Sequence, residues 1–187
     1  MPPLSDTITY LEMTARPRRP AGPAPAAKLA LMRVENCPVS FYRYLYNAVG
    51  EPWLWFERRL WSDRRLAGHL ARDDIDISVL HVGGVPAGYF ELERAETGDT
   101  ELSYFGLVPE FIGQGLGGYF LRAALDAAWV GSTQRVWVHT STYDHPRALG
   151  NYQRAGFRVY QRRSVVFDDP RLTGVLPRDL KHPMLRD

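Results

Sequence analysis

The sequence predicts an α+β fold, a mixed and mostly antiparallel central sheet flanked by helices. Two observations carry this. Residues 75–82 (IDISVLHV) alternate as a strand does, Gly83 and Gly84 supply a hairpin turn, and residues 85–94 return as a second strand. Gly98 and Asp99 then turn the chain into a third strand at residues 101–108, which completes a meander. The second observation is the alternation that follows: a glycine-rich loop, a long helix, a strand, a short helix and a final strand. A meander leading into the glycine loop argues against a doubly wound nucleotide-binding sheet.

In chain order, residues 7–14 (TITYLEMT) read as a first strand from their β-branched and aromatic content. Residues 15–27 (ARPRRPAGPAPAA) cannot pack as a regular element and form a loop. Residues 28–34 (KLALMRV) read as a second strand, expected to pair with the first across that loop. From Pro38 to Val49 the apolar positions Phe41, Tyr44, Leu45 and Ala48 recur at helical spacing, with Gly50 as the stop. Two short helices fit residues 52–72, one starting at Ser62 or Asp63, among an aromatic crowd running from Trp53 to Trp61. After the meander, Leu116, Tyr119, Phe120, Ala123, Ala124 and Ala127 mark one buried helix face, widened by Leu125 and Trp129. Residues 135–142 form a strand with Val136, Val138 and Thr140 on one face and His139 on the other. A helix is expected from about Asp144 to Gly156, then a long or bent strand over residues 157–167. From about residue 168 the polar, proline-containing tail reads as loop.

A chain of 187 residues suits one domain, since about 150 residues already bury roughly 70% of the unfolded surface. No apolar run is long enough to span a bilayer, and the N-terminus has neither a basic start nor an apolar signal core, so the cytoplasm is the expected location. The formal charge of +2 gives no reason to expect nucleic-acid binding, and Arg16, Arg18 and Arg19 read as solvated loop charges. The single Cys37 excludes an internal disulfide and reads as a structural residue.

The chemistry concentrates between Glu101 and Trp129. Pro109 ends the strand's pairing because it has no N–H, and Gly113, Gly115, Gly117 and Gly118 follow directly before the helix. Without Cβ atoms these residues let backbone N–H groups approach a ligand, and the free N–H groups of a helix's first turn favour negative charge. The expected ligand is a phosphate or pyrophosphate. The Gly-Lys-Ser/Thr ending of a P-loop is missing, which disfavours a nucleoside-triphosphate enzyme.

The order of elements, with the loop Ile112-Gly113-Gln114-Gly115-Leu116-Gly117 and the segment DHPRALGNYQRAGF over residues 144–157, resembles the GNAT superfamily of acetyl-coenzyme A-dependent N-acyltransferases. The likeness covers about residues 75–160. It implies that the backbone of Gly113, Gln114, Gly115, Leu116, Gly117 and Gly118 holds the pyrophosphate of coenzyme A. Ile112 departs from the family's Gln or Arg. In the second segment His145, Ala148, Tyr152, Gly156 and Phe157 fall in register, with His145 in place of the common Asn as the cofactor contact.

The resemblance further implies acetyl transfer by direct attack of an amine on the thioester, with no metal and no acyl-enzyme. Removing a proton from an amine of pKa about 8 to 10.4 needs a base near neutral pH. Glu101, at the start of the strand feeding the loop, is the first choice; Glu91, Glu93, Asp144 and His139 are the alternatives. A backbone N–H near Leu107 or Val108 is the expected oxyanion contact, and Tyr152 the acid for the departing thiolate. The acceptor is the primary amine of a small molecule or of a peptide or protein, and acidic residues beside aromatics suit a small cationic amine. The competing function is a non-catalytic acyl-coenzyme A sensor, suggested by His145. A homodimer is among the open oligomeric states.

Overall fold

The computed structural model describes residues 3–18 and 25–185, so the middle of the proline-rich loop, including Arg19, lies outside the described residues. The strands are β1 (Leu4–Met13), β2 (Leu29–Arg33), β3 (Ile75–Val82), β4 (Val85–Arg94), β5 (Asp99–Leu107), β6 (Arg135–Thr140) and β7 (Arg158–Phe167). They form one seven-stranded sheet in the order β2-β3-β4-β5-β6-β1-β7. Neighbours run antiparallel except β5 and β6. The helices are α1 (Val39–Gly50), α2 (Asp63–Leu70), α3 (Leu116–Ala128) and α4 (Ala148–Ala155), with short 3-10 turns at Glu51–Trp53, Glu57–Leu60 and Pro109–Phe111. Among the described residues no helix is long and apolar enough to cross a membrane.

The meander is as read: β3 and β4 meet across Gly83 and Gly84, both with positive φ, and Val82 lies opposite Val85. The expected pairing of the first two strands is not found. β2 pairs with β3 at one edge of the sheet, whereas β1 inserts between β6 and β7, antiparallel to both. The long connection between them therefore spans separate parts of the sheet. An alternating pattern specifies a strand's faces but not its neighbour.

Period-two alternation sends β4 side chains to both faces. Phe90 and Leu92 pack with Phe120, Leu121, Ala124 and Tyr152 of α3 and α4, and Leu11, Val136 and Val138 join them. Tyr89 faces the opposite side, with Tyr42, Leu45, Tyr46 and Val49 of α1 and Leu66 of α2. The buried stripe of α3 is Leu116, Phe120, Leu121, Ala124, Leu125 and Ala128, turned from the expected stripe so that Tyr119, Ala123 and Ala127 are only half-buried. Helix α2 starts where read: Ser62 is its N-cap, accepting from the Arg65 N–H. Helix α4 starts later than expected, at Ala148, because residues 141–147 form turns held by the Asp144 carboxylate and the His145 ring. The tail contributes more than a loop. Leu176 is buried against Leu54 and Tyr143, and the buried His182 ring holds the Tyr143 carbonyl through Nε2 at 2.7 Å.

The core on the α1 side contains charge. Glu91 is fully buried and accepts from Tyr42 Oη at 2.6 Å and from the Arg58 guanidinium at 3.0 Å, with His69 Nε2 at 2.8 Å. Arg58 also lies over the Trp61 ring at 3.8 Å. This cluster joins β4, α1, α2 and the 57–60 turn. Removing one partner of a buried pair leaves an uncompensated charge and costs about 3–5 kcal/mol, whereas removing both can be close to neutral. Urea unfolding should therefore show Arg58→Leu destabilised by about 3–5 kcal/mol, with much of the loss recovered when Glu91→Leu is added. An unchanged midpoint for the single variant would remove the cluster's structural role.

Candidate active site

β5 and β6 pair only at Asp99–Arg135, Thr100–Val136 and Glu101–Trp137. Beyond these residues each follows its outer partner: β5 stays with β4 as far as Gly88–Leu107, and β6 stays with β1 as far as Thr9–Thr140. A register shift where Glu91 meets Tyr104 and Leu92 meets Leu102 leaves Ser103 as the extra residue and bends β5 at the point of separation. The opening is a cavity of about 700 Å³ lined by residues 102–107 on one side and Val138 and His139 on the other. Ser103 Oγ on this wall is buried without a hydrogen-bond partner among the described residues.

One end of the cavity is the glycine loop. Gly113 and Gly115 have φ of 87° and 77°, in the left-handed region that costs a side-chain residue energy. A Cβ built on Gly113, Gly115 or Gly117 would meet nothing within 4 Å, so the surface before the loop is open. Gly115 is the N-cap of α3 and gives no side-chain cap bond, leaving first-turn N–H groups for an anion. Gly118 also borders the cavity; Leu116 turns its side chain into the core, and Gln114 folds back to the Glu110 carbonyl at 2.7 Å, so only their backbones bear on the loop's outer face. Asn151 and Arg154 of α4 and Arg147 just before it line the same cavity. The basic groups Arg147 and Arg154 were not singled out in the sequence, although their i, i+7 spacing, with Asn151 at i+4, puts them on one side of the last helix. The loop's open face, its unpaired N–H groups and these cations fit a pyrophosphate.

Strand pleating separates the two expected oxyanion donors. The Val108 N–H is taken by the Ala87 carbonyl at 2.9 Å, and Val108 packs against the α1-side core, so it is not a free donor. Alternate N–H groups point to opposite edges of a strand, so the Leu107 N–H points away from β4, toward the opening. Tyr152 on α4 borders the cavity, its ring packed against Phe105 and Phe157. Burial, with the charge of Asp144 behind it, pushes the phenol well above its ordinary pKa, so it stays protonated.

The carboxylates divide into distinct roles. Glu91 is sealed in the core cluster and Glu93 is paired with Arg72 at 2.7 Å, so neither bears on the cavity. Asp144 lines it, but its two oxygens accept from Trp55 Nε1 at 3.0 Å, Thr140 Oγ1 at 2.7 Å and the Ser141 N–H at 2.8 Å. Glu57, the acid within the aromatic stretch, lines the cavity and accepts from Tyr46 Oη and the Phe56 N–H. Glu101 stands at the last paired position of β5 and is not on the wall; its Oε1 lies 3.2 Å from Nδ1 of His139, which is.

The far wall is aromatic. Trp53, Trp55, Phe56 and Tyr143 line it, with Phe56 stacked on Phe167 at 5.3 Å and Trp53 edge-on to His145 at 5.0 Å. His145 accepts the Arg147 N–H through Nδ1, and burial together with Arg147 lowers its pKa. It shapes the turn into α4 while bordering the cavity.

The acetyltransferase (GNAT) family profile matches residues 39–157. No curated protein sequence matches the chain significantly. Among solved structures, a GCN5-related N-acetyltransferase from Sphaerobacter thermophilus aligns with a TM-score of 0.61 at 19% identity over 88% of this chain and 52% of that one, so the chain spans about half of that relative. An aminoglycoside acetyltransferase from an uncultured soil metagenomic sample, solved with sisomicin, gives 0.57 at 13% identity over 68% and 87%. The ribosomal-protein-S18-alanine N-acetyltransferase of Escherichia coli gives 0.58 at 13% identity over 75% and 95%. At these identities the structures speak for the fold, and the family profile speaks for the sequence: the chain belongs to the acetyltransferase (GNAT) family.

Proposed function

We propose that this chain transfers an acetyl group from acetyl-CoA to the primary amine of a small cationic acceptor. The observation that carries the reading is a single cavity joining the glycine loop, through the opening between β5 and β6, to an aromatic and acidic wall. When bound, acetyl-CoA supplies an acyl thioester. The amides of residues 113–118, with Arg147 and Arg154 beside them, bind its pyrophosphate, and the opening receives its pantetheine arm. The Leu107 N–H donates to the carbonyl oxygen as it gains charge, a contact of the kind that contributes a few kcal/mol. Tyr152 keeps its proton and donates a hydrogen bond to the departing sulfur. A thiol has a pKa of about 8.5, so that sulfur then takes up a proton readily near neutral pH, balancing the one the amine loses.

Trp53, Trp55 and Phe56 offer faces to a cation and its carbon skeleton, and Glu57 and Asp144 add negative charge. A binding-only module requires the loop but neither the proton-holding Tyr152 nor the Glu101–His139 pair, which favours turnover over sensing. Two measurements test the function. Coenzyme A release, assayed with acetyl-CoA and a panel of aliphatic and arylalkyl primary amines, should depend on the amine. Tight cofactor binding with no turnover on any amine or peptide acceptor would favour a sensor. Tyr152→Phe should lower kcat about a hundredfold with coenzyme A affinity kept, and an unchanged kcat at every pH would remove its role. Separately, Gly117→Asp places a carboxylate in the first turn of α3, where it favours the helix but opposes phosphate. Calorimetry should show coenzyme A bound at least about tenfold more weakly with thermal stability retained; unaltered affinity would contradict the loop assignment.

A further inference from the structure

We infer that His139 is the catalytic base and that Glu101 acts through it as a positioning residue. The inference rests on the acetyl-transfer reading above and goes beyond it in naming the group that takes the amine's proton. His139 lies on the cavity wall at the point where β6 leaves β5, and its side chain is 43% exposed against 18% for Glu101. Glu101 Oε1 at 3.2 Å engages Nδ1 and leaves Nε2 as the ring nitrogen available to an acceptor. A carboxylate on Nδ1 fixes both the ring's orientation and the tautomer with its lone pair on Nε2. Among the carboxylates on the wall, Asp144 has both oxygens committed to three donors, and Glu57 holds Tyr46 Oη and the Phe56 N–H through Oε2.

The groups facing the imidazole come from every side: Glu101 on β5, Glu57 in the 57–60 turn, Asp144 after β6, and the rings of Tyr10 on β1 and Trp137 on β6, at 5.9 and 6.2 Å. Burial works to lower the ring's pKa, but the Glu101 hydrogen bond and the charges of Glu101, Asp144 and Glu57 outweigh it and raise the pKa above that of a free imidazole. A raised pKa makes the neutral ring a stronger base than an ordinary histidine, which suits an amine. As nitrogen bonds to the acyl carbon its N–H becomes far more acidic. The N–C bond forms, the C–S bond breaks, the nitrogen's proton passes to Nε2, and the sulfur takes one proton from solvent.

The test pairs kinetics with a measurement that needs no acceptor. In NMR titrations of the whole protein, the His139 resonance, assigned by its loss in His139→Gln, should titrate above a free imidazole, and Glu101→Gln should move it lower. In kinetics on the best amine of the panel, His139→Gln should lower kcat at least about a hundredfold with coenzyme A affinity unchanged. Glu101→Gln should lower kcat less, about tenfold, and shift the acidic limb of kcat/KM to lower pH, because the charge that raised the imidazole's pKa is gone. Wild-type turnover with undiminished kcat in His139→Gln would overturn the base assignment alone. An acidic limb and resonance unmoved by Glu101→Gln would overturn the positioning role. Absence of wild-type turnover on every amine would overturn the acetyl-transfer reading, and the base with it.

Discussion

The site depends on a parallel pairing that stops after three residue pairs. β5 and β6 are central to the sheet, and a continuous ladder between them would leave no opening. Their separation is tolerated because each is held on its other side, β5 by the meander and β6 by β1. The backbone groups freed along the inner edges are left for a ligand, and a buried backbone group without any partner costs as much as a lost hydrogen bond. The N-terminal strand is thus part of the site's construction. Without β1, β6 would have no antiparallel partner from which to diverge.

Two further devices support the aromatic side of the cavity. The buried Glu91 cluster fixes Arg58 from β4, which in turn anchors the start of the 57–60 turn carrying Glu57 toward the cavity. The C-terminal tail ties the other end: His182 holds the Tyr143 carbonyl with its ring edge-on to Trp53, and Arg59 donates to the Val175 carbonyl. Aromatic side chains from residues 53–56 and from Tyr143 and Phe167 consequently meet as a wall, although they lie far apart in the chain. Rigid aromatics lose little conformational freedom on binding, which suits a wall for a small ligand.

Local chemistry made much of this legible. The Gly83-Gly84 turn, the Ser62 cap and the Gly156 stop are decided within a few residues, and all three occur where read, whereas Gly117 and Gly118, expected before the helix, lie in its first turn. The glycine loop and Tyr152 could be picked out because their motifs keep fixed spacing, and both border the cavity. What was not legible required knowledge of which strands are neighbours. β2 looks the same from its own residues whether it pairs with β1 or β3. The relation of Glu101 to His139 arises from sheet register across 38 residues. Val108 became unsuitable as an oxyanion donor only once strand phase aimed its N–H at Ala87. The tail lacks periodicity, so the burial of Leu176 and His182 left no pattern to read.

A crystal structure with a non-hydrolysable thioether analogue of acetyl-CoA tests the central claim most directly. The pyrophosphate should lie on the amides of residues 113–118, the pantetheine between β5 and β6, the acyl oxygen against the Leu107 N–H, and the sulfur within hydrogen-bond reach of Tyr152. A pantetheine arm lying outside the opening between the two strands would contradict it.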